Sequence, residues 1–471
     1  MTGSTLDVDA LIANEDQLAR AIADKYDTWN MYRNTWLQEK QELRNYLFAT
    51  DTRTTSNNAN GWSNSTTIPK LTQIRDNLHA NYMAALFPHR QWLQWIGDSE
   101  DAVSTEKAKV IEHYFLNKLD KSKFQTTTSQ LVLDFIDYGN VFVMSDWESK
   151  VKEDPISGET IRNYVGPKAR RISPNDIVFN PLAKTFDDTP CIIRSLVTMG
   201  ELASMTSKYN SEEDRTVAEQ ALAKCSNLRG AHASLDSSDS ILNERLTFDG
   251  FGNVSEYLGS DYVEILSFYG DLYDYHTGTL LKDHIIHVVD KSYVVYQKEN
   301  PSWLGRKPIY HVGWRERPDN LYAMGPLDNL VGLQYRIDHL ENLKADVFDL
   351  IAQPVLKIRG DVEDFDYAPG ERIYVGDEGD VVFLVPDTTA LNADNQIARI
   401  EQIMEQMAGA PREAMGMRTA GEKTAFEVNT LMTAANRTFE HKTKYFEENL
   451  IEPLLQADRD WETLFFLSSK K

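Results

Sequence analysis

Between Gly325-Pro326 and Gln353-Pro354 lies a run of about 27 residues in which Leu330, Leu333, Ile337, Leu340, Val347 and Ile351 recur at spacings of 3, 4, 3, 7 and 4. The pattern is that of a heptad-like helix. Pro326 after Gly325 suits a first turn, and the residue before Pro354 is biased out of the helical region. A helix of that length spans roughly 40 Å. A stripe this long has to be covered, either by the rest of the chain or by copies of the same helix in neighbouring molecules. The six residues are therefore candidate subunit-packing positions.

The remaining chain reads as α+β and mainly helical. Leu11, Ile12, Leu18, Ile22, Tyr26, Trp29, Tyr32 and Trp36 predict a helix over 10–48, and the polar stretch 51–67 reads as a loop. Helices are expected over 70–87, 103–120 and 124–138, the last stopped by Gly139, with the apolar strip Trp92–Ile96 between the first two and a strand from Val141. Short strands and turns over 150–195, a helix over 198–225 and a polar connection over 226–258 follow. Residues 262–269, 272–275, 280–281, 284–289 and 292–296 predict an antiparallel meander. After the long helix come strands at 355–358, 371–375 and 381–385. A helix begins at about 394 with Ile397, Ile400, Met404 and Met407. The last helix spans about 422–456, with Phe426, Leu431, Phe439, Phe446, Leu450 and Leu454.

A chain of 471 residues is long enough for two to four packed units. No stretch approaches the roughly 20 apolar residues of a membrane span. The acidic start Met1–Asp9 lacks a signal-peptide pattern, so a soluble intracellular protein is expected. Cys191 and Cys225 form neither a disulfide framework nor a CxxC site and are expected to be reduced packing residues. The net charge of −23 argues against a tight, sequence-specific nucleic-acid binder and leaves either no contact or a loose, sliding one. Residues 361–420 hold thirteen Asp/Glu against four Lys/Arg, a local balance of −9. That suits a solvated face, or a wall that does not grip a polyanion.

Candidate chemistry is sparse. Gly250-Phe-Gly-Asn lacks the GxxxxGK[ST] pattern of a phosphate loop and reads as a pair of loop glycines. His284 and His287, three apart in a strand, fall on opposite faces and are poor joint metal ligands. Asp377-Glu-Gly-Asp380 lacks the calcium-loop register and reads as a solvated turn. No nucleophile elbow is present. No catalytic residue, cofactor site or metal site is expected, and the chain is not expected to be an enzyme.

Three stretches resemble the portal, or head–tail connector, proteins of tailed bacteriophages, nearest to those of short-tailed phages. They are Lys70–Pro88 together with Asp137-Tyr-Gly-Asn-Val-Phe-Val; Gly325-Pro-Leu with the long helix and Gln353-Pro-Val-Leu-Lys-Ile; and Pro411-Arg-Glu-Ala-Met-Gly with the stretch carrying Lys423, Thr424, Ala425, Glu427 and Val428. The similarity covers roughly residues 65–455, and 457–471 lie outside it. The resemblance implies a portal fold with a helical wing, a helical stem and an α/β clip. It divides the chain into a wing region at 1–225, a connection and β-rich clip at 226–320, a stem helix at 321–353, wing strands, tunnel loop and helix at 354–420, and a C-terminal helix and tail at 421–471. It implies a homo-oligomeric ring, usually of twelve subunits, assembled in the host cytoplasm and placed at one capsid vertex of the virion. Its partners would be the terminase large subunit, tail adaptor proteins, and the scaffold or major capsid protein. Double-stranded DNA would pass through without sequence specificity, and no membrane is involved. The clip meander at about 258–315 would protrude toward the terminase. The segment Pro386–Asp394 would point into the channel, with Asp387 and Asp394 repelling phosphates and Thr388, Thr389 and Asn392 touching them weakly. The competing readings are another head–tail adaptor or tail protein and, from another class, a metal-dependent nucleic-acid enzyme.

Overall fold

The computed structural model describes residues 8–59, 64–96, 102–153, 160–206, 215–220, 222–223, 262–274, 278–300, 306–360, 362, 373–384, 392–408 and 439–468. The chain is of mixed α+β class and divides into two compact units, each assembled from distant stretches. Met1–Leu37, Gln91–Met324 and Phe446–Lys471 form unit 1; Gln38–Arg90 and Gly325–Tyr445 form unit 2.

Helix α1 (Val8–Leu47) contributes to both units. Two 3₁₀ turns, Thr52–Thr54 and Ser56–Ala59, and α2 (Lys70–Leu86) belong to unit 2. Unit 1 continues with α3 (Ala102–Lys121) and α4 (Phe124–Asp137), which ends before Gly139 in the left-handed conformation (φ +68°). Next come β1 (Asn140–Glu153), β2 (Thr160–Ile172), β3 (Ile177–Phe179), β4 (Cys191–Thr198) and α5 (Met199–Thr206). They are followed by β5 (Tyr262–Asp274), β6 (Thr279–Val289), β7 (Tyr293–Glu299), β8 (Ile309–Gly313), β9 (Arg315–Arg317) and β10 (Asn320–Met324). Unit 2 resumes with α6 (Val331–Ala352), β11 (Val355–Arg359), β12 (Asp380–Leu384) and α7 (Asp394–Met407). Helical residues 439–446 lead through a π turn, Glu447–Ile451, into α8 (Glu452–Ser468).

Unit 1 is built on an antiparallel sheet of order β3-β4-β5-β6-β7 that is buried on both faces. Successive side chains of a strand point to opposite faces. Ile192 on β4 therefore joins Leu266, Phe268, Ile286 and Val288 beneath Ala19, Ile22, Tyr26 and Trp29 of α1, whose 3, 4, 3 spacing forms one helical face. Its neighbours Cys191 and Ile193 join Phe142, Ile172, Phe179, Phe186 and Tyr269 on the other face. A second sheet, β2-β1-β8, is linked to α4 by Arg171, whose Nε and Nη2 donate to Asp134 at 2.6 and 2.7 Å. Buried Arg33 clamps the Ser173–Asp176 turn by donating to Pro174 O, Asn175 O and Ile177 O at 2.6–3.0 Å.

Several elements depart from the sequence reading. The long helix begins at Val331 rather than Pro326 and is 22 residues long, about 33 Å. Asp328 accepts from Gly325 N (2.8 Å) and from Lys40 Nζ and shapes a 3₁₀ turn, Asp328–Leu330, ahead of it. The short strands expected over 150–195 are instead one long hairpin, β1 and β2, followed by β3 and β4. Residues 262–274 are one strand with an irregularity at Gly270, where φ is +125°. Of 198–225, Thr198 ends β4, and Met199–Thr206 and residues 215–220 and 222–223 are helical; the rest lie outside the described residues. Of the strand expected at 371–375, residues 373–375 are described, and there Val375 makes a single bridge to Val362. The last helix runs to Ser468 rather than 456. Pro453 lacks an N–H, and the π turn just ahead of it lets the helix continue. Residues 226–258, with Gly250 and Gly252, the start of the last helix at 422–438 and Cys225 lie outside the described residues.

Candidate functional site

The site is built on α6, in unit 2. Gln334, Asp338, Asn342 and Asp346 repeat every four residues and form one face of the helix. Together they hold residues 64–71 in place along that face. Gln334 Nε2 donates to Ile68 O (2.6 Å) and its Oε1 accepts from Leu71 N (3.2 Å). Asp338 accepts from Ile68 N (3.1 Å), Thr67 Oγ1 (3.0 Å) and Gln334 Nε2 (3.0 Å). Asn342 accepts from Thr66 N (2.8 Å) and donates to Thr66 O (2.7 Å). Asp346 Oδ1 accepts from Asn64 N and Nδ2 at 3.0 and 2.8 Å. Burial outweighs these bonds at Asp338 and pushes its carboxyl up to about 6. A buried ion pair, Lys70 Nζ to Glu405 Oε1 at 2.6 Å, ties α7 to the start of α2.

Past this ladder the surface becomes apolar. The β11–β12 ribbon pairs Val355 with Leu384 and Ile358 with Val381. Alternation puts Val355, Val382 and Leu384 on one face and Ile358 and Phe383 on the other. Val355 is 56% exposed, Ile358 54% and Leu384 51%. At the adjoining end of α6, Phe348 is 52% exposed, and Leu343, Leu350 and Ile351 are exposed as well. A two-stranded ribbon is marginal in water on its own, and a contiguous exposed apolar patch marks an interaction surface.

Of the six stripe residues, Leu330, Ile337, Leu340 and Val347 are buried within the chain itself, Leu333 is half-buried and Ile351 is exposed. Four of them therefore have no free surface to offer a neighbour. The available apolar residues are Leu343, Phe348, Leu350 and Ile351, on the flank and at the end of the helix. Asp387, Thr388 and Thr389 lie outside the described residues. Asn392 is exposed, and Asp394 opens α7 with its carboxylate 2.7 Å from Lys344 Nζ, so its charge is partly compensated.

The meander expected to protrude is largely core. Val263, Leu266, Phe268, Ile286, Val288 and Val294 are buried, while Tyr262, Tyr273 and Leu280 remain exposed. His284 Nδ1 lies 2.7 Å from Lys282 O and His287 Nδ1 2.8 Å from Ser267 Oγ; burial lowers His287 to about 4. Among the described residues, no group of three or more His, Cys, Asp or Glu side chains could hold a metal, and no helix is long and apolar enough to cross a membrane. Residues 377–380 form an exposed turn leading into β12, apart from half-buried Gly379. No protein-family model matches the chain, and no curated protein matches it.

Proposed function

We propose that the chain is a structural ring subunit, the portal of a tailed-phage capsid, and that it catalyses nothing itself. The observation that carries this reading is the β11–β12 ribbon, which exposes apolar side chains on both faces, beside Lys357, Arg359 and Asp380 on one of them. A subunit in a closed ring has two neighbours and presents a different surface to each. A ribbon with apolar side chains on both faces and an adjoining apolar helix end suits that arrangement. The acidic balance of the chain suits a channel through which DNA slides, since a polyanion is repelled by the wall and not gripped. The portal reading also rests on Lys70–Pro88, Gln353–Ile358 and Lys423–Val428. It brings with it DNA packaging and ejection at one capsid vertex, and docking of the terminase and later of the tail adaptor. Negative-stain images and light scattering of the purified protein should give closed rings with a central hole. A monomer at every concentration, with and without capsid partners, would overturn the reading. A tail adaptor would be found in the tail of the virion and not at the packaging vertex. A nucleic-acid enzyme would cleave DNA when given a divalent metal.

A further inference from the structure

The last helix of the chain is seated in unit 1 on buried acidic side chains. Asp458 of α8 is 1% exposed, and Glu462, one turn further on, is 4% exposed. Ser145 Oγ of β1 donates to Asp458 Oδ1 (2.8 Å), and Tyr114 OH of α3 donates to Glu462 Oε2 (3.1 Å). Lys118 of α3 brings its Nζ within 3.2 Å of Glu462 Oε1 while donating to Val165 O. Among the described residues, Asp458 Oδ2 has no hydrogen-bond partner, and Glu462 Oε1 meets the Lys118 ammonium as an ion pair without an aligned hydrogen bond. Tyr164 of β2 donates to Pro167 O, and a Cβ on Gly166 would lie 3.0 Å from Glu462 Oε1 and 3.1 Å from Lys118 Nζ, so the packing is close.

Other charged or titratable groups stand nearby. Glu148 of β1 is paired with Lys168 of β2 and with Lys150. Tyr310 of β8 feels the charge of Asp458 and is in turn influenced by Arg306. Lys118 thus stands beside Glu462, and the hydrogen bond to Asp458 comes from a group without charge. An ionised carboxylate held in the interior without a cation of its own is costly, and a bound proton removes that cost.

We propose that Asp458 is a proton-operated latch, which holds α8 against β1, β2 and α3 when protonated and loosens the helix when it ionises. Burial, reinforced by the charge of Glu462, raises the Asp458 carboxyl to about 7 from an ordinary value near 3.8. The folded chain therefore binds this proton more tightly than a chain with α8 released. The seat is firmest below about pH 4, where both states are protonated, weakens as pH rises from there toward the raised value, and levels off above it.

Amide hydrogen exchange on the full chain tests this, with rates corrected for intrinsic chemistry and with β4 as the reference segment. Protection of 452–468 should fall about ten-fold between pH 6 and pH 8.5, as linkage with these two acidities requires, while β4 holds steady. Asp458→Asn retains an acceptor for Ser145 and should remove the step. Ser145→Ala deletes a donor that favours the ionised form and should move the midpoint to higher pH. A flat wild-type profile overturns the latch, and so does a step that persists in Asp458→Asn. Should Asp458→Asn fail to fold, an unmoved midpoint in Ser145→Ala overturns it equally.

Discussion

Lys70 and Glu405 show what a buried charge demands of its partner. Their side chains are almost wholly enclosed, and Lys70 Nζ also donates to Gln73 Oε1 (3.0 Å). Glu405→Ala leaves an ammonium in the interior and should cost about 3–5 kcal/mol in urea denaturation, whereas a Lys70→Met, Glu405→Leu pair should recover most of that loss. Asp338 gives unit 2 its own pH dependence. Its folded acidity of about 6 exceeds the ordinary 3.8, so the folded chain binds the proton more tightly. Stability should decline as pH rises from about 4 to 6 and level off above, and Asp338→Asn should flatten that window. Lys70 figured in the sequence only as the first residue of a longer stretch, and the roles of Glu405 and Asp338 were hidden there. Gln, Asp and Asn spaced by four on a helix look like a solvated face, and the polar stretch 51–67 looks like a loop. Each disguises the other, because the helix supplies the donors and acceptors that the extended segment needs.

At the level of elements, the periodic stretches announced themselves. Helices α2, α3 and α4 lie within a residue of their expected bounds, and Gly139 and Pro354 stop helices as their backbone chemistry requires. Interrupted elements did not. Gly270 splits the apolar pattern of β5, although the backbone carries the strand through it. Asp458, Arg459 and Asp460 give the middle of α8 the look of a solvated stretch, although Asp458 is buried. The stripe on α6 was visible as a stripe, but its periodicity could not say whether the covering atoms came from the same chain. The exposed ribbon now carries the assembly prediction. Val355→Asp with Ile358→Asp puts a charge on each of its faces and should shift rings to monomers in sedimentation velocity while leaving far-ultraviolet dichroism unchanged. Rings of undiminished stability would move the subunit contact elsewhere.

For the whole molecule, a net charge of −23 sets how the proposed ring would treat nucleic acid. Rings should fail to retard linear duplex DNA even at about 50 mM salt, because the net negative charge opposes the displacement of counterions from the backbone. A tight complex that dissolves steeply with added salt would contradict a sliding channel. The division into two interleaved units has a consequence of another kind, in time. Residues 64–71 are held by side chains some 263 to 285 positions further along the chain. At a synthesis rate of about 5–20 residues per second, that stretch leaves the ribosome roughly ten seconds to a minute before the helix that receives it. Most of unit 1 is made during that interval. The first half of unit 2 must therefore wait, unsatisfied, while another body folds between it and its complement, and a chain stopped at residue 324 would release the first half of unit 2 with nothing to fold against.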